Sequence, residues 1–161
     1  MITKFTFLQV SFGYFCAMII TDTHTHLYSE QFKDDRNEMI QRAIGVGVSR
    51  FFIPAIDSTY LPAMLDLEAS FLDNIFLMMG LHPTHVKENV KEELAFVKKW
   101  FDKRNFYAVG EIGIDLYWDK TFLKEQQHAF KTQIHWAKEK KLPIVIHCRD
   151  CLLYTSPSPR D

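Results

Sequence analysis

The sequence has little that would staple it covalently, draw it onto a polyanion or hold it in a membrane. Its three cysteines, Cys16, Cys148 and Cys151, make no spaced framework. Cys148 and Cys151 form a C-x-x-C without a second pair or a following redox helix, so a zinc ribbon or thioredoxin-like site is set aside. As free thiols they favour a reducing compartment, which predicts a cytoplasmic protein, or a nuclear one in a eukaryote. Basic excess is missing too: 19 Lys and Arg face 20 Asp and Glu, for a net charge of -1. A domain that coats duplex DNA by bulk electrostatics would carry more positive charge. Capture of a strand end in a metal cleft would not need it. No apolar run is long and clean enough to span a bilayer. The stretch from Phe5 to Ala17 is broken by Thr6, Gln9, Ser11 and Gly13, and the only basic residue ahead of it is Lys4. Residues 1–17 are therefore read as an extension outside the fold, with weak signal-like character, and Met18 as an alternative start. No membrane partner and no obligate protein partner is expected.

What is present is an alternation of short apolar runs with helical patterns. Ile19-Ile20, Arg50–Pro54, Ile75–Gly80, Tyr107–Gly110 and Pro143–His147 read as strands. Runs this short and continuously apolar suit a parallel sheet buried on both faces. Helices are predicted over Asp34–Ile44, closed by Gly45 and Gly47, and from Thr59 as cap, with Pro62 in its early turns, to Leu72. Two more are predicted over Lys91–Phe101 and Phe122–Lys140. Repeated βαβ units leave a (β/α)8 barrel or an open doubly wound sheet. No G-x-G-x-x-G follows the first strand, which removes support for the dinucleotide form.

The strands instead end in reactive residues, which is where a barrel collects its active site. Asp22-Thr23-His24-Thr25-His26 is the sharpest signal. On an extended strand, residues two apart share a side, so His24 and His26 can aim two imidazoles at one divalent cation. Asp22 shares that parity and can orient an imidazole or lie near the metal. In Gly110-Glu111-Ile112-Gly113-Ile114-Asp115, a carboxylate at Glu111 is costly to bury unless both its oxygens are used, as by a bridge between two cations. A salt-bridged structural glutamate is the alternative. His147 is a third ligand candidate. Arg149 can pair with a phosphate or with Asp150. His82, in Gly80-Leu81-His82-Pro83, can contact substrate or move a proton. Asp115 can support the loop or touch substrate. His85, His128 and His135 read as surface residues, and the lysine-rich runs as solvated helix faces.

Length bears on the architecture. A closed barrel needs eight strands and about 250 residues, and only five strands are legible. Residues 152–161, with Ser-Pro repeats, do not resume the pattern. The expected organisation is thus an α/β fold: a partial TIM barrel, about five of eight strands, over residues 18–150, with an aberrant tail at 151–161 and a truncated end.

These motifs resemble, in order and in register, the TatD family of metal-dependent deoxyribonucleases. The resemblance runs from about Met18 to Asp150 and rests on Asp22–His26, Gly80–Pro83, Gly110–Trp118, Gln126-Gln127 to Gln133, and Leu142–Asp150. It implies an amidohydrolase-like TIM barrel and two divalent cations (Mg, Mn or Zn), with His24 and His26 on one, His147 on the second and Glu111 bridging. It implies cleavage of phosphodiesters in DNA, often from 3′ strand ends. The family adds a histidine from the sixth strand and an aspartate from the eighth, beyond the five legible here, and Cys151 stands where a small residue is usual. This predicts an incomplete site. The alternatives are an amidohydrolase acting on an amide or ester, which a lysine on the fourth strand would have favoured, and a catalytically inactive fragment.

Overall fold

The computed structural model describes residues 19–151; the readings of residues 1–17 and of 152–161 lie outside the described residues. Five strands alternate with four helices among those described. They are β1 (Ile20–Asp22), α1 (Arg36–Gly45), β2 (Val48–Ile53), α2 (Leu61–Ser70), β3 (Ile75–Leu77), α3 (Val90–Lys103), β4 (Val109–Asp115), α4 (Leu123–Lys140) and β5 (Ile144–Arg149). The pairs β1–β2, β2–β3 and β4–β5 are parallel. A parallel bridge at Met79 and Val109 carries the order on from β3 to β4, with Gly110 N–H donating to the Met79 carbonyl at 2.9 Å. The strands therefore lie side by side in chain order, as in a (β/α)8 barrel, of which five are present.

The helices form where the sequence puts an apolar stripe at helical spacing. In α3, Val90, Leu94, Val97 and Phe101 are buried, Glu92 and Glu93 occupy the first turn, and Lys103 the last; these charges complement the helix dipole. Under the helices, Ile53, Leu77, Met79, Val109 and Ile112 are almost wholly enclosed. Each such side chain contributes roughly 1.5–3 kcal/mol by leaving water.

Three boundaries differ from the sequence reading. The expected helix from Thr59 is split: Asp57 accepts the Thr59 N–H and caps a short 3-10 turn, Ser58–Tyr60, before α2 begins. The first strand stops at Asp22, so His24 and His26 follow it rather than ride on it. The fourth strand continues past Gly110 to Asp115, because β5 pairs with its far half: Ile112 with Ile146, Gly113 with His147, Asp115 with Arg149. That pairing needs Gly113. Its φ is +152°, and a Cβ there would collide with the His147 carbonyl.

Two glutamines of α4 fix the loops at the carboxyl ends of β3 and β4. Gln133, fully buried, accepts from Leu81 N–H at 2.7 Å and donates to the Leu81 carbonyl at 3.3 Å. Gln126 treats Asp115 the same way, at 2.9 and 3.1 Å. Spaced two turns apart on one face, they substitute for strand partners that a loop lacks. Gln133→Leu should leave the Leu81 backbone groups unsatisfied and lower unfolding free energy by about 1–3 kcal/mol. Urea denaturation should show a lower midpoint with an unchanged slope; an unmoved midpoint would mean that Leu81 has other partners.

Candidate metal centre

The segment after β1 bends at His24 and is tied to the neighbouring strand, where Thr25 N–H donates to the Phe52 carbonyl at 3.1 Å. His24 and His26 flank that anchor and turn to the same side, with their Nε2 atoms 3.3 Å apart. Both face one oxygen of Glu111: Oε2 lies 3.0 Å from His24 Nε2 and 3.5 Å from His26 Nε2. The other oxygen, Oε1, lies 3.1 Å from His147 Nδ1 and 3.7 Å from His82 Nε2. Four imidazoles thus meet on the carboxylate of Glu111, a residue only 7% exposed.

Burial alone would oppose ionisation of Glu111. Hydrogen bonds with His26 and His82 and the fields of His82 and His24 outweigh it, and hold the carboxyl well below the usual range. The His82 pKa is lowered too: burial opposes its charged form, and Glu111 only partly offsets this. Asp115 is lowered as well, since its bonds with His147 and with the Tyr117 and Trp118 amides outweigh its desolvation.

Hydrogen bonds behind the rings decide which nitrogen offers a lone pair. Tyr28 donates its one proton to the Pro54 carbonyl at 2.8 Å. Its oxygen, 2.8 Å from His26 Nδ1, can then only accept. His26 Nδ1 therefore carries a hydrogen, and Nε2 is the nitrogen that faces Glu111 and could offer a lone pair to a cation between them. At His147 the polarity is set by Asp115, whose Oδ2 takes the Nε2 hydrogen at 2.7 Å and leaves Nδ1, 3.1 Å from Glu111 Oε1, as the nitrogen that could bind a cation. His82 is opposite. Thr84 N–H donates to its Nδ1 at 3.2 Å, so the neutral ring carries its hydrogen on Nε2, 3.2 Å from His147 Nδ1 and 3.7 Å from Glu111 Oε1.

Of the remaining sequence candidates, Asp22 was expected to orient an imidazole or to lie near the metal. Its described contact is instead to the backbone: Oδ1 accepts from His24 N–H at 3.1 Å, because the chain turns as β1 ends. Arg149 shows no ion pair with Asp150 among the described residues; its guanidinium lies 3.6 Å from the centre of the Tyr117 ring. His128 and His135 are exposed on α4. His85, read as an ordinary surface residue, is bonded through Nδ1 to Asp57 at 2.6 Å. Cys148 and Cys151 are paired rather than free; Asp150 adopts φ 53° and turns the chain back, bringing the two Cα atoms to 6.1 Å. Tyr28 was missed by sequence reasoning. Its signal was the parity that marked the histidines, since His24, His26 and Tyr28 fall two apart.

The donor set fits divalent cations. Two ligands on one tetrahedral ion, each at about 2.0–2.1 Å, stand about 3.3 Å apart. The triangle of His24 Nε2, His26 Nε2 and Glu111 Oε2 has edges of 3.3, 3.0 and 3.5 Å. His82, Glu111 and His147 form a second such group, although the tautomer of His82 makes it a hydrogen-bond donor there and leaves Glu111 and His147 as the ligating pair.

The same chain matches a family model described as TatD related DNase over residues 21–155. It is 35% identical over 132 residues to the uncharacterized metal-dependent hydrolase YabD of Bacillus subtilis, covering 82% of this chain and 51% of that protein. To a 3'-5' ssDNA/RNA exonuclease TatD of Erwinia tasmaniensis it is 31% identical over 129 residues, covering 80% and 50%. Among solved structures it resembles YjjV, a TatD homolog from Escherichia coli, with a TM-score of 0.73 at 30% identity over 81% of this chain and 51% of that one. The chain spans about half the length of the curated relatives it matches.

Two outcomes follow from this geometry. Tyr28→Phe frees the His26 ring to change tautomer and should weaken Mn²⁺ binding about 10–100-fold by calorimetry; unchanged affinity would remove Tyr28 from the centre. Because the folded pKa of Glu111 is lowered, its contribution to stability is complete above its ordinary value of 4.5 and is lost as the pH falls through the folded value. Glu111→Gln should therefore flatten the fall of metal-free stability below that pH, and an equally steep fall in the variant would contradict the assignment.

Proposed function

The chain belongs to the TatD related DNase family, and from that membership we propose that it supplies the cation-holding residues of a divalent-metal-dependent phosphodiester hydrolase acting on strand ends of single-stranded DNA, 3′ to 5′. The observation that carries this reading is the division of Glu111: one oxygen serves His24 and His26, the other His147 and His82. A glutamate in a purely structural ion pair has no need of four imidazoles.

In this reading His24, His26 and Glu111 hold one cation, and Glu111 and His147 a second. Mixed nitrogen and carboxylate ligands suit Zn²⁺ or Mn²⁺, and a phosphoryl substrate admits Mg²⁺. Bound there, divalent cations supply a lowered pKa for water and charge neutralisation at the phosphate. The protein groups do the rest. Tyr28 and Asp115 keep the His26 and His147 lone pairs aimed inward. His82 presents its Nε2 hydrogen where a phosphoryl or leaving-group oxygen would lie, and can donate to it as negative charge builds. Arg149, two residues beyond His147, would meet the next phosphate along the strand.

The test is trimming of a 5′-labelled single-stranded oligonucleotide in Mn²⁺, by this chain and by His24→Ala. Loss of 3′ nucleotides that EDTA suppresses, and that falls at least ~10-fold in the variant, is expected, since a positioned acid–base or metal-holding group contributes on the order of 10²–10⁴-fold. Because the chain spans half the length of its relatives, the rate should be low. Equal products from both proteins would contradict hydrolysis by these residues.

A further inference from the structure

Beside the centre lies an aromatic surface that the hydrolytic reading leaves unused. Tyr117 and Trp118 follow β4 and are 52% and 71% exposed. The other large exposed aromatic side chain among the described residues, Tyr107, precedes β4 and so belongs to the opposite end of the sheet. The exposed rings do not hang from a loose loop. Asp115 Oδ1 accepts the Tyr117 N–H at 3.0 Å and the Trp118 N–H at 3.5 Å, while its Oδ2 holds His147. Asp119 then caps Thr121 N–H at 2.8 Å and pairs with Lys87 at 3.3 Å. One carboxylate therefore sets both the ring of a site histidine and the turn that displays the aromatics.

The surface also carries charge of the sign a phosphate backbone needs. Arg149 lies 3.6 Å from the Tyr117 ring centre and 5.4 Å from that of Trp118. The Tyr117 and Trp118 rings stand nearly perpendicular, 89° apart, with centres separated by 4.8 Å. Arg149 thus occupies the Tyr117 ring, while Trp118 remains largely open to solvent. Trp118 also borders Pro83 and Thr84, beside His82, around a cavity of about 40 Å³. That volume holds a water molecule but no nucleobase, so a base meets the open ring instead of entering a pocket.

We propose that Trp118, braced by Tyr117 and Arg149, is a stacking platform for an unpaired nucleobase of the substrate strand, one that positions the adjoining phosphodiester at the Glu111 centre. The proposal rests on the hydrolytic reading above and deepens it. Stacking accepts any base and requires that base to be unpaired, so the platform selects single strands over duplex without reading sequence. The ribose plays no part, and DNA and RNA share the required chemistry.

Binding measured in EDTA separates stacking from hydrolysis. Fluorescein-labelled dT10 and U10 are titrated with the chain, with Trp118→Leu and with Trp100→Phe, their folding checked by circular dichroism. Trp118→Leu should bind both oligonucleotides roughly tenfold more weakly, the scale of losing one stacked base, while Trp100→Phe binds as the parent does. A dT10 whose three 3′ residues are abasic should bind the parent as weakly as intact dT10 binds Trp118→Leu. Affinity within twofold for Trp118→Leu, equal affinity for the abasic strand, or no binding by the parent chain would each overturn the proposal. Base-dependent binding without any Mn²⁺-dependent trimming would instead leave the platform standing and remove the hydrolytic reading.

Discussion

A carboxylate that is almost wholly buried must find partners for both of its oxygens, and at Glu111 those partners are four imidazoles. Its desolvation is unfavourable by itself. The histidines offset it and hold the group ionised. Much of the local architecture can be read as what this arrangement requires. β5 must pair with the far half of β4 to bring His147 alongside, and that close approach is open only because Gly113 has no Cβ. The loops after β3 and β4 must stay fixed, which is the task of the buried glutamines of α4. The segment after β1 must stay against β2, which the Thr25 to Phe52 hydrogen bond secures.

Around the carboxylate, the placement of protons separates two kinds of histidine. His26 and His147 each have a hydrogen drawn outward by Tyr28 and Asp115, which leaves the inner nitrogen to offer a lone pair once a cation lies between it and Glu111. His82 receives a backbone N–H on its outer nitrogen and presents a hydrogen. Residues of one type, at similar distances from one glutamate, thereby acquire opposite polarity toward a ligand. Lone pairs suit a cation, and a donor suits the anionic oxygen beside it. Asp115 adds a further link, because it orients His147 and also anchors the turn that carries Tyr117 and Trp118.

Much of this was legible in the sequence, for local reasons. Continuous apolar runs marked the strands, helical periodicity marked the helices, and polar residues at the strand ends marked the face on which side chains converge. The parity argument for His24 and His26 rested on a strand, yet both lie beyond β1, and their rings converge because Thr25 between them is tied to β2. What escaped was non-local. Glu111 lies inside β4 only because β5 pairs there. Gln133 acts across 52 residues of chain on Leu81. The polarity of the His82 ring depends on a backbone amide whose direction no spacing rule gives. The pairing of Cys148 with Cys151 depends on the left-handed turn at Asp150.

The central claim is that Glu111 joins two cation-binding groups rather than closing one ion pair. Electron paramagnetic resonance of the chain loaded with Mn²⁺ tests it directly. Two ions sharing the Glu111 carboxylate should give the broadened spectrum of a magnetically coupled Mn²⁺ pair, and Glu111→Gln should return it to the six-line pattern of isolated ions. A six-line spectrum from the parent chain at saturating Mn²⁺, unchanged in the variant, would contradict the account.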